Sequence, residues 1–422
     1  MAPKLVWMTT SARTLWRGRT LALLGILLIA LNVRTAVAAL SPILGVIEND
    51  IPLTSLGLGV LGMLPPIAFA LAGIFAPSVA RARGLDASLL IAAIAMVLGS
   101  GIRAVSDNYV MLALGSIIAL GGMGIGNILL PPAVKKYFPD RLATVTGGYV
   151  MLISMGAALA AFFAAPVAEV AGWRVSVSVW AVLATTALVP WLVLAVRGSH
   201  PRRAVAREAA LLPTTTSISV WSIARSTTAW AIAIAFAVSS ISFYSFFAWL
   251  PEILIESAGL TNVEAGAMLS LFGLIGIPLG IVSPILVNRI SNVGLIILGG
   301  VVAGAAGFLG LAFAPTTLTW LWVILVGIGS ITFPISLVLI NLRTRSHEAS
   351  AALSGFVQSL GYTVAALGPF AVALVRELSG GWIAPLMFLL AASLLGIISA
   401  ILLTRPRFVE DELTIAVPTP SD

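Results

Sequence analysis

The sequence predicts an all-α membrane protein with twelve transmembrane helices in two six-helix bundles. Three observations carry that prediction: an excess of apolar residues, the length of the apolar runs, and a repeat relating the two halves of the chain. Of 422 residues, 59% are hydrophobic and 9% charged, against about 45–50% apolar and about 25% charged in a soluble domain. The excess is too large for a soluble core. It falls in long uninterrupted runs, and about 20 residues at 1.5 Å rise cross a ~30 Å hydrocarbon layer. Barrel strands alternate and need only about 9–11 residues, so the runs are helices.

In chain order the spans are 20–47, 56–80, 86–105, 108–134, 142–168, 173–196, 226–250, 262–287, 292–314, 318–341, 349–375 and 381–404. Most connections are short, so neighbouring helices run antiparallel. The exception is 197–225, with the polar, basic stretch RGSHPRRAVAREAALLPTTTSIS. The predicted domains are therefore an N-terminal segment 1–19, a first bundle 20–196, a linker 197–225, a second bundle 226–404 and a tail 405–422.

The Lys and Arg residues set the orientation. With the N-terminus inside, Lys4, Arg13, Arg17, Arg19, Arg81, Arg83, Lys135, Lys136, Arg141, Arg197, Arg202, Arg203, Arg207, Arg225, Arg289, Arg343, Arg345, Arg405 and Arg407 are inside. Only Arg103, Arg174 and Arg376 fall in outside loops. This positive-inside bias places both termini in the cytoplasm and accounts for the net charge of +7 without a nucleic-acid partner. The first span also resembles a secretory signal, with an apolar stretch Leu21–Leu31 and Ala36-Val37-Ala38 as a cleavage site. The repeat described next requires the span to be retained.

LTSLGLGVLGMLPPIAFALAGIFAP (53–77) aligns without gaps to LTNVEAGAMLSLFGLIGIPLGIVSP (260–284), with seven of 25 positions identical. Gly59 pairs with Gly266, Gly73 with Gly280 and Pro77 with Pro284. GIGNILLP (124–131) matches GIGSITFP (327–334), and Gly-Trp recurs at 172–173 and 381–382. Two parallel six-helix repeats describe the major facilitator architecture, in which substrate sits between two bundles at the membrane midplane. The spacings Gly122-x-x-x-Gly126 and Gly300-x-x-x-Gly304 allow close helix contact. Pro65, Pro66, Pro131, Pro278 and Pro334 loosen helices that must bend.

Several chemistries are excluded. Without cysteine there is no disulfide framework or thiolate metal site, and His200 and His347 both lie in polar loops. GGMGIGN (121–127) imitates a dinucleotide loop, but no strand precedes it, so it reads as helix packing. There is no Walker loop, so ATP is not the direct energy source. No cofactor is expected, and an enzyme would have little to use.

One charge stands apart. Arg34 in LNVRTAVAAL is 13 residues from Leu21 and 13 from Ile47, about 20 Å of helix either way. A central Arg costs ~2.5–3.5 kcal/mol on insertion scales. No Asp or Glu lies at comparable depth; the nearest are Glu48, Glu252 and Glu256, near the outer surface. Either main-chain carbonyls hold Arg34 in a bent helix, or it faces a cavity and binds an anion through its planar fork of donors. Ala38, Ser41 and Gly45 share its helix face and leave room. Asn127, Tyr149, Ser240, Tyr244, Gln358 and Tyr362 are further polar groups deep in spans of both halves. Phe243, Phe246 and Trp249 read as packing or gating residues, and Trp173, Trp320 and Trp382 as interfacial anchors.

The stretches LNVRTAVAALSPIL, GIGNILLPPAVKKYFP, TGGYVMLISMGAALAAFFAAP, FYSFFAWLP and LSGFVQSLGYTVAALGPF together resemble the cyanate/2-nitroimidazole transporter family of the major facilitator superfamily, over about 20–404. Thr35 stands where that family often has proline after the arginine, a departure that bears on local helix geometry. The resemblance implies a secondary transporter of the bacterial inner membrane for small anionic or nitro-aromatic compounds. It puts Arg34, Asn127, Tyr149, Tyr244, Gln358 and Tyr362 at the substrate site. An inside gate is expected at Arg81, Gly84 and Asp86 with Arg289 as counterpart, and Trp249 is a further gating candidate. The expected partners are a small, anionic substrate and the lipid bilayer, with room for a coupling proton. Nothing points to nucleic acid or an obligate protein partner. The competing readings are a drug/proton antiporter and a membrane sensor that does not transport.

Overall fold

The computed structural model describes residues 19–197, 220–345 and 347–415. Lys4, Arg13, Arg17, His200, Arg202, Arg203, Arg207 and most of the linker lie outside the described residues. Twelve helical spans are long and apolar enough to cross a membrane. They are α1 (in pieces from Thr20), α2 (Ser55–Arg83), α3 (Leu85–Ala104), α4 (Tyr109–Tyr137), α5 (Leu142–Ala171) and α6 (Trp173–Arg197), then α7 (Thr227–Ala258), α8 (Asn262–Arg289), α9 (Val293–Phe313), α10 (in pieces from Thr319), α11 (His347–Ser379) and α12 (in pieces from Ile383). The protein is a multi-pass membrane protein of the major facilitator fold.

Local chemistry sets the helix ends. Thr54, Asn108 and Ser226 each accept a backbone N–H of the first turn of α2, α4 and α7, and Thr261 with Glu264 forms a capping box on α8. The turn from α2 to α3 passes through Gly84 at φ 86°, a conformation a side chain would strain.

Glycines bring helices within each bundle into contact. A Cβ on Gly122 would lie 2.5 Å from Ala92 O, one on Gly124 2.7 Å from Ala72 Cβ, and one on Gly126 2.9 Å from Ile29 Cγ2. GGMGIGN is therefore packing surface, as its position in an apolar span predicts. Similarly, a Cβ on Gly300 would meet Ile331 Cγ2 at 2.6 Å.

The repeat is visible as a side-chain cluster. Trp173 donates its indole N–H to Asp50 at 2.8 Å, and Arg174 pairs with the same carboxylate. In the second half Trp382 donates to Glu256 at 2.8 Å and Arg376 pairs with it. Each arginine also lies over an indole of its own cluster, at 4.3 and 4.9 Å. These tryptophans are 3% and 5% exposed, which corrects their reading as interfacial anchors: carboxylate partners hold the rings inside. Trp320, 49% exposed, keeps that reading.

The bundles meet through α2 against α11 and α5 against α8. The tight points lie toward the end away from the basic loops. A Cβ on Gly59 would sit 2.7 Å from Ala373 Cβ, one on Gly62 2.7 Å from Pro369 Cβ, and one on Gly266 2.8 Å from Ala161 O. The basic-end halves of the same helices are apart: a methyl group added at Gly147, Gly280 or Gly355 would have nothing within 4 Å.

Four features differ from the sequence expectation. The first span is not one helix: it runs Thr20–Asn32, Thr35–Ala38, a 3-10 turn Ser41–Ile43 and Leu44–Glu48. α10 divides into Thr319–Gly329 and Thr332–Leu342, with Pro334 in the first turn of the second piece, where its missing N–H costs nothing. Arg103 is not in a loop but buried in the last turn of α3, 2% exposed. The tail carries a helix, α13 (Val409–Ile415), docked on the second bundle. Arg345 pairs with Asp411 and lies 4.5 Å over Phe408, while Glu412 accepts from Ser226 Oγ, Thr228 Oγ1 (2.9 Å) and Thr228 N (3.0 Å) at the start of α7.

Candidate functional site

The site is built on the break in α1. The helix stops at Asn32, and Arg34 has φ −125° and ψ 2°, outside the helical region. Proline is not needed for the break. Thr35 Oγ1 donates to Asn32 O at 3.0 Å and satisfies a carbonyl the stopped helix leaves open. Behind it, α5 presses in at Gly156, where any Cβ would collide with Leu31 O.

The break turns Arg34 into a cavity of about 890 Å³ between the bundles. Among the described residues its guanidinium has no ion pair and no hydrogen bond; its close neighbour is Phe243, whose ring centroid is 4.7 Å from Cζ. Stacking on a ring face leaves the N–H edge of the guanidinium free. Among the described residues no Asp or Glu lines the cavity, so Arg34 is the one charged side chain on its wall.

All six sequence-predicted residues line this cavity: Arg34, Asn127 and Tyr149 from the first half, Tyr244, Gln358 and Tyr362 from the second. Gln358 donates to Ser354 Oγ at 2.7 Å, leaving its carbonyl oxygen available. The Tyr244 hydroxyl is buried without a partner among the described residues. The Tyr244 and Tyr362 rings are 6.3 Å apart, and Phe69 lies 6.5 Å from each. Phe243, Phe247 and Phe272 add an apolar wall, with centroids 4.5–5.8 Å apart. The arrangement offers one cation, neutral donors and acceptors, and flat aromatic faces.

Sequence reasoning missed several serines of the lining, Ser330 and Ser239 among them. Ser330 lines the cavity at the break in α10 and is the repeat partner of Asn127 in the GIGN/GIGS alignment, a signal that could have found it. Ser239 lines it too and donates to Ser330 O at 3.2 Å, beside the Phe333 N–H that the same carbonyl accepts at 3.1 Å.

Tyr244 and Phe247 also form a partition. On their other side is a small cavity of about 40 Å³, lined by Ser41, Ser116, Leu61 and Pro65. The Ser41 hydroxyl is buried there and has no partner among the described residues. None of the small residues on the Arg34 face lines the main cavity, which corrects the expectation that they make room for it: Ser41 belongs to this second space, and Ala38 is fully buried in packing.

The predicted gating residues lie apart from the cavity. Arg81 donates to Ser78 Oγ at 2.9 Å, Gly84 forms the α2–α3 turn, and Asp86 accepts from Lys136 Nζ and Tyr137 OH, each at 2.8 Å. Arg289 is exposed in the last turn of α8. Trp249 is 1% exposed, donates to Pro369 O at 2.9 Å and has its ring 5.7 Å from the tilted ring of Trp382, all within the second half.

Among known sequences, the Major Facilitator Superfamily profile matches residues 23–369. The chain is 32% identical over 391 residues to the 2-nitroimidazole transporter of Escherichia coli (strain K12), covering 92% of this chain and 96% of that one. It is 27% identical over 369 residues to the cyanate transport protein CynX of the same strain, covering 86% and 91%. Among solved structures, a bacterial homologue of the human lysosomal transporter Spinster superposes with a TM-score of 0.70 at 15% identity, over 96% of this chain and 99% of that one.

Proposed function

The chain belongs to the cyanate/2-nitroimidazole transporter family of the major facilitator superfamily, and from that premise we propose that it moves a small organic or inorganic anion by alternating access. It is a secondary transporter of a small molecule, not an enzyme. One observation carries the anionic substrate: the Arg34 guanidinium faces a cavity in which, among the described residues, neither a carboxylate nor a main-chain oxygen holds it. A cation kept at that depth costs ~2.5–3.5 kcal/mol. A carboxylate, cyanate or nitro group laid on its fork of donors offsets that cost. The phenyl wall beside it favours a planar aromatic anion.

The pattern of contacts supports alternating access. The bundles touch at Gly59, Gly62 and Gly266, and the cavity runs between the basic-end halves of the same helices. With the basic loops in the cytoplasm, this conformation faces inward, both termini are cytoplasmic, and the membrane is the bacterial inner membrane.

A proton-coupled exporter is the second reading. Near the closed end Glu252 has a buried carboxylate oxygen without a partner among the described residues. The test is uptake into proteoliposomes of labelled benzoate against neutral benzamide, with and without a pH gradient. Accumulation of benzoate that Arg34→Gln abolishes is the expected result. Binding without accumulation would identify a sensor, and transport unchanged in Arg34→Gln would remove Arg34 from the site. Export driven by an inward proton gradient and lost in Glu252→Gln would establish the second reading.

A further inference from the structure

The structure holds a second embedded arginine that no part of the transport reading uses. Arg103 is among the largest fully buried side chains and has no ion pair among the described residues. Among the described residues its guanidinium makes one hydrogen bond, from Nη1 to Ala36 O at 3.1 Å. Ala36 belongs to the four-residue piece Thr35–Ala38, between the break beside Arg34 and the 3-10 turn at Ser41–Ile43. In a continuous helix its carbonyl would accept from the N–H of Leu40; here that bond is not made. Glycine makes room for the arginine: a Cβ on Gly115 of α4 would lie 2.9 Å from Arg103 Cγ.

We propose that Arg103 is a positioning residue for Arg34. It anchors the short piece that begins at Thr35 and so fixes the direction in which the Arg34 guanidinium enters the cavity. The proposal rests on Arg34 being the substrate cation. A four-residue helix with both flanks irregular has almost no stiffness of its own, because nucleation of so short a segment is unfavourable. It takes its orientation from what grips it. A charged donor grips a carbonyl about twice as strongly as a neutral one, which gives the fold a reason to keep a buried cation there. The main-chain-bonded arginine weighed for Arg34 is thus found in the same region, but at Arg103.

The test is a binding cycle on purified full-length protein, with benzoate and benzamide as probes. Losing the alignment of a charge-assisted hydrogen bond weakens benzoate on the order of 10–150-fold. Arg103→Met is expected to do so while changing benzamide less than about twofold. In an Arg34→Gln background, Arg103→Met is expected to add nothing further, and Arg103→Lys, which keeps a charged donor, to restore part of the affinity. Equal loss of both probes, or full additivity in the double variant, would overturn the proposal by making Arg103 a general scaffold residue. Should Arg103→Met fail to fold, Arg103→Gln is read the same way. Wild-type benzoate affinity in Arg34→Gln would instead sink the substrate reading, while loss in Arg34→Gln and none in Arg103→Met sinks only this inference.

A readout without ligand completes the test. The chain has no cysteine, so in Arg34→Cys a maleimide reports on that position alone. Adding Arg103→Met is expected to change its labelling rate about tenfold, the effect of one hydrogen bond. An unchanged rate overturns the proposal whether or not a probe binds.

Discussion

Gly266→Ala should pry the closed end of the transporter open. The added methyl would stand 2.8 Å from Ala161 O across the α5–α8 contact, with Pro42 Cβ next at 3.5 Å. A main-chain oxygen in mid-helix has no rotamer to change, so the bundles must separate by roughly half an ångström. Overpacking of this kind costs about 1–3 kcal/mol, and here the cost falls on the closed arrangement alone. The closed-to-open ratio then falls about 5- to 150-fold. The absence of cysteine supplies the assay. Ser41→Cys places one thiol in the small cavity behind Tyr244, at a position 7% exposed. Its maleimide labelling in detergent should rise by the same factor when Gly266→Ala is added. Gly59→Ala, which would meet Ala373 Cβ at 2.7 Å, should act alike. Gly280→Ala, with open space around it, should not. Labelling that stays constant in a variant with wild-type melting temperature and circular dichroism would refute the assignment of these contacts as the seal.

Three further outcomes follow from the site and its surroundings. Arg34→Leu removes a charge from the midplane, so the melting temperature should hold or rise while benzoate affinity drops on the order of 10–150-fold; a lower melting temperature would mean the arginine is structural. Tyr244→Phe deletes a buried hydroxyl without a partner among the described residues, so stability should be unchanged or better, and substrate affinity should fall about tenfold if the hydroxyl meets the ligand. Hydrogen bonds from Trp173 and then Arg174 hold the Asp50 carboxyl below its usual range. Its contribution is present above the unfolded-state value of about 3.9 and is lost only as pH falls through the lower folded value. The melting-temperature gap between wild type and Asp50→Asn should therefore stay constant from pH 7 to about 4 and close below that; a gap that closes near pH 5 would contradict the cluster.

The membrane spans were legible because run length maps directly onto bilayer thickness, and the repeat because Gly59, Gly73, Pro77 and their partners keep one register. The lining of the candidate cavity was legible in part: Arg, Asn, Gln and Tyr are few in these spans, and Arg34, Asn127, Tyr149, Tyr244, Gln358 and Tyr362 share one cavity, whereas the many serines gave no signal to tell lining from packing. What stayed hidden depended on partners distant in sequence. No Pro or Gly marks the break at Arg34; pressure from Gly156 and the bond from Thr35 to Asn32 mark it only in space. Arg103 sits three residues before the Ser106-Asp107-Asn108 turn and reads as loop until Gly115 opens a slot for it. Trp173 and Trp382 look like anchors until Asp50 and Glu256 come to them. The Asn127/Ser330 pair has matching sequence contexts, yet only the second copy breaks its helix.

The docking of α13 has a mechanical corollary. Glu412, near the end of the described chain, grips the first turn of α7, so the second half is fastened head to tail like a buckled belt. A belted barrel turns as a whole when pushed at any point on its rim. Cutting the belt after Pro406 would release the first turn of α7 from that grip.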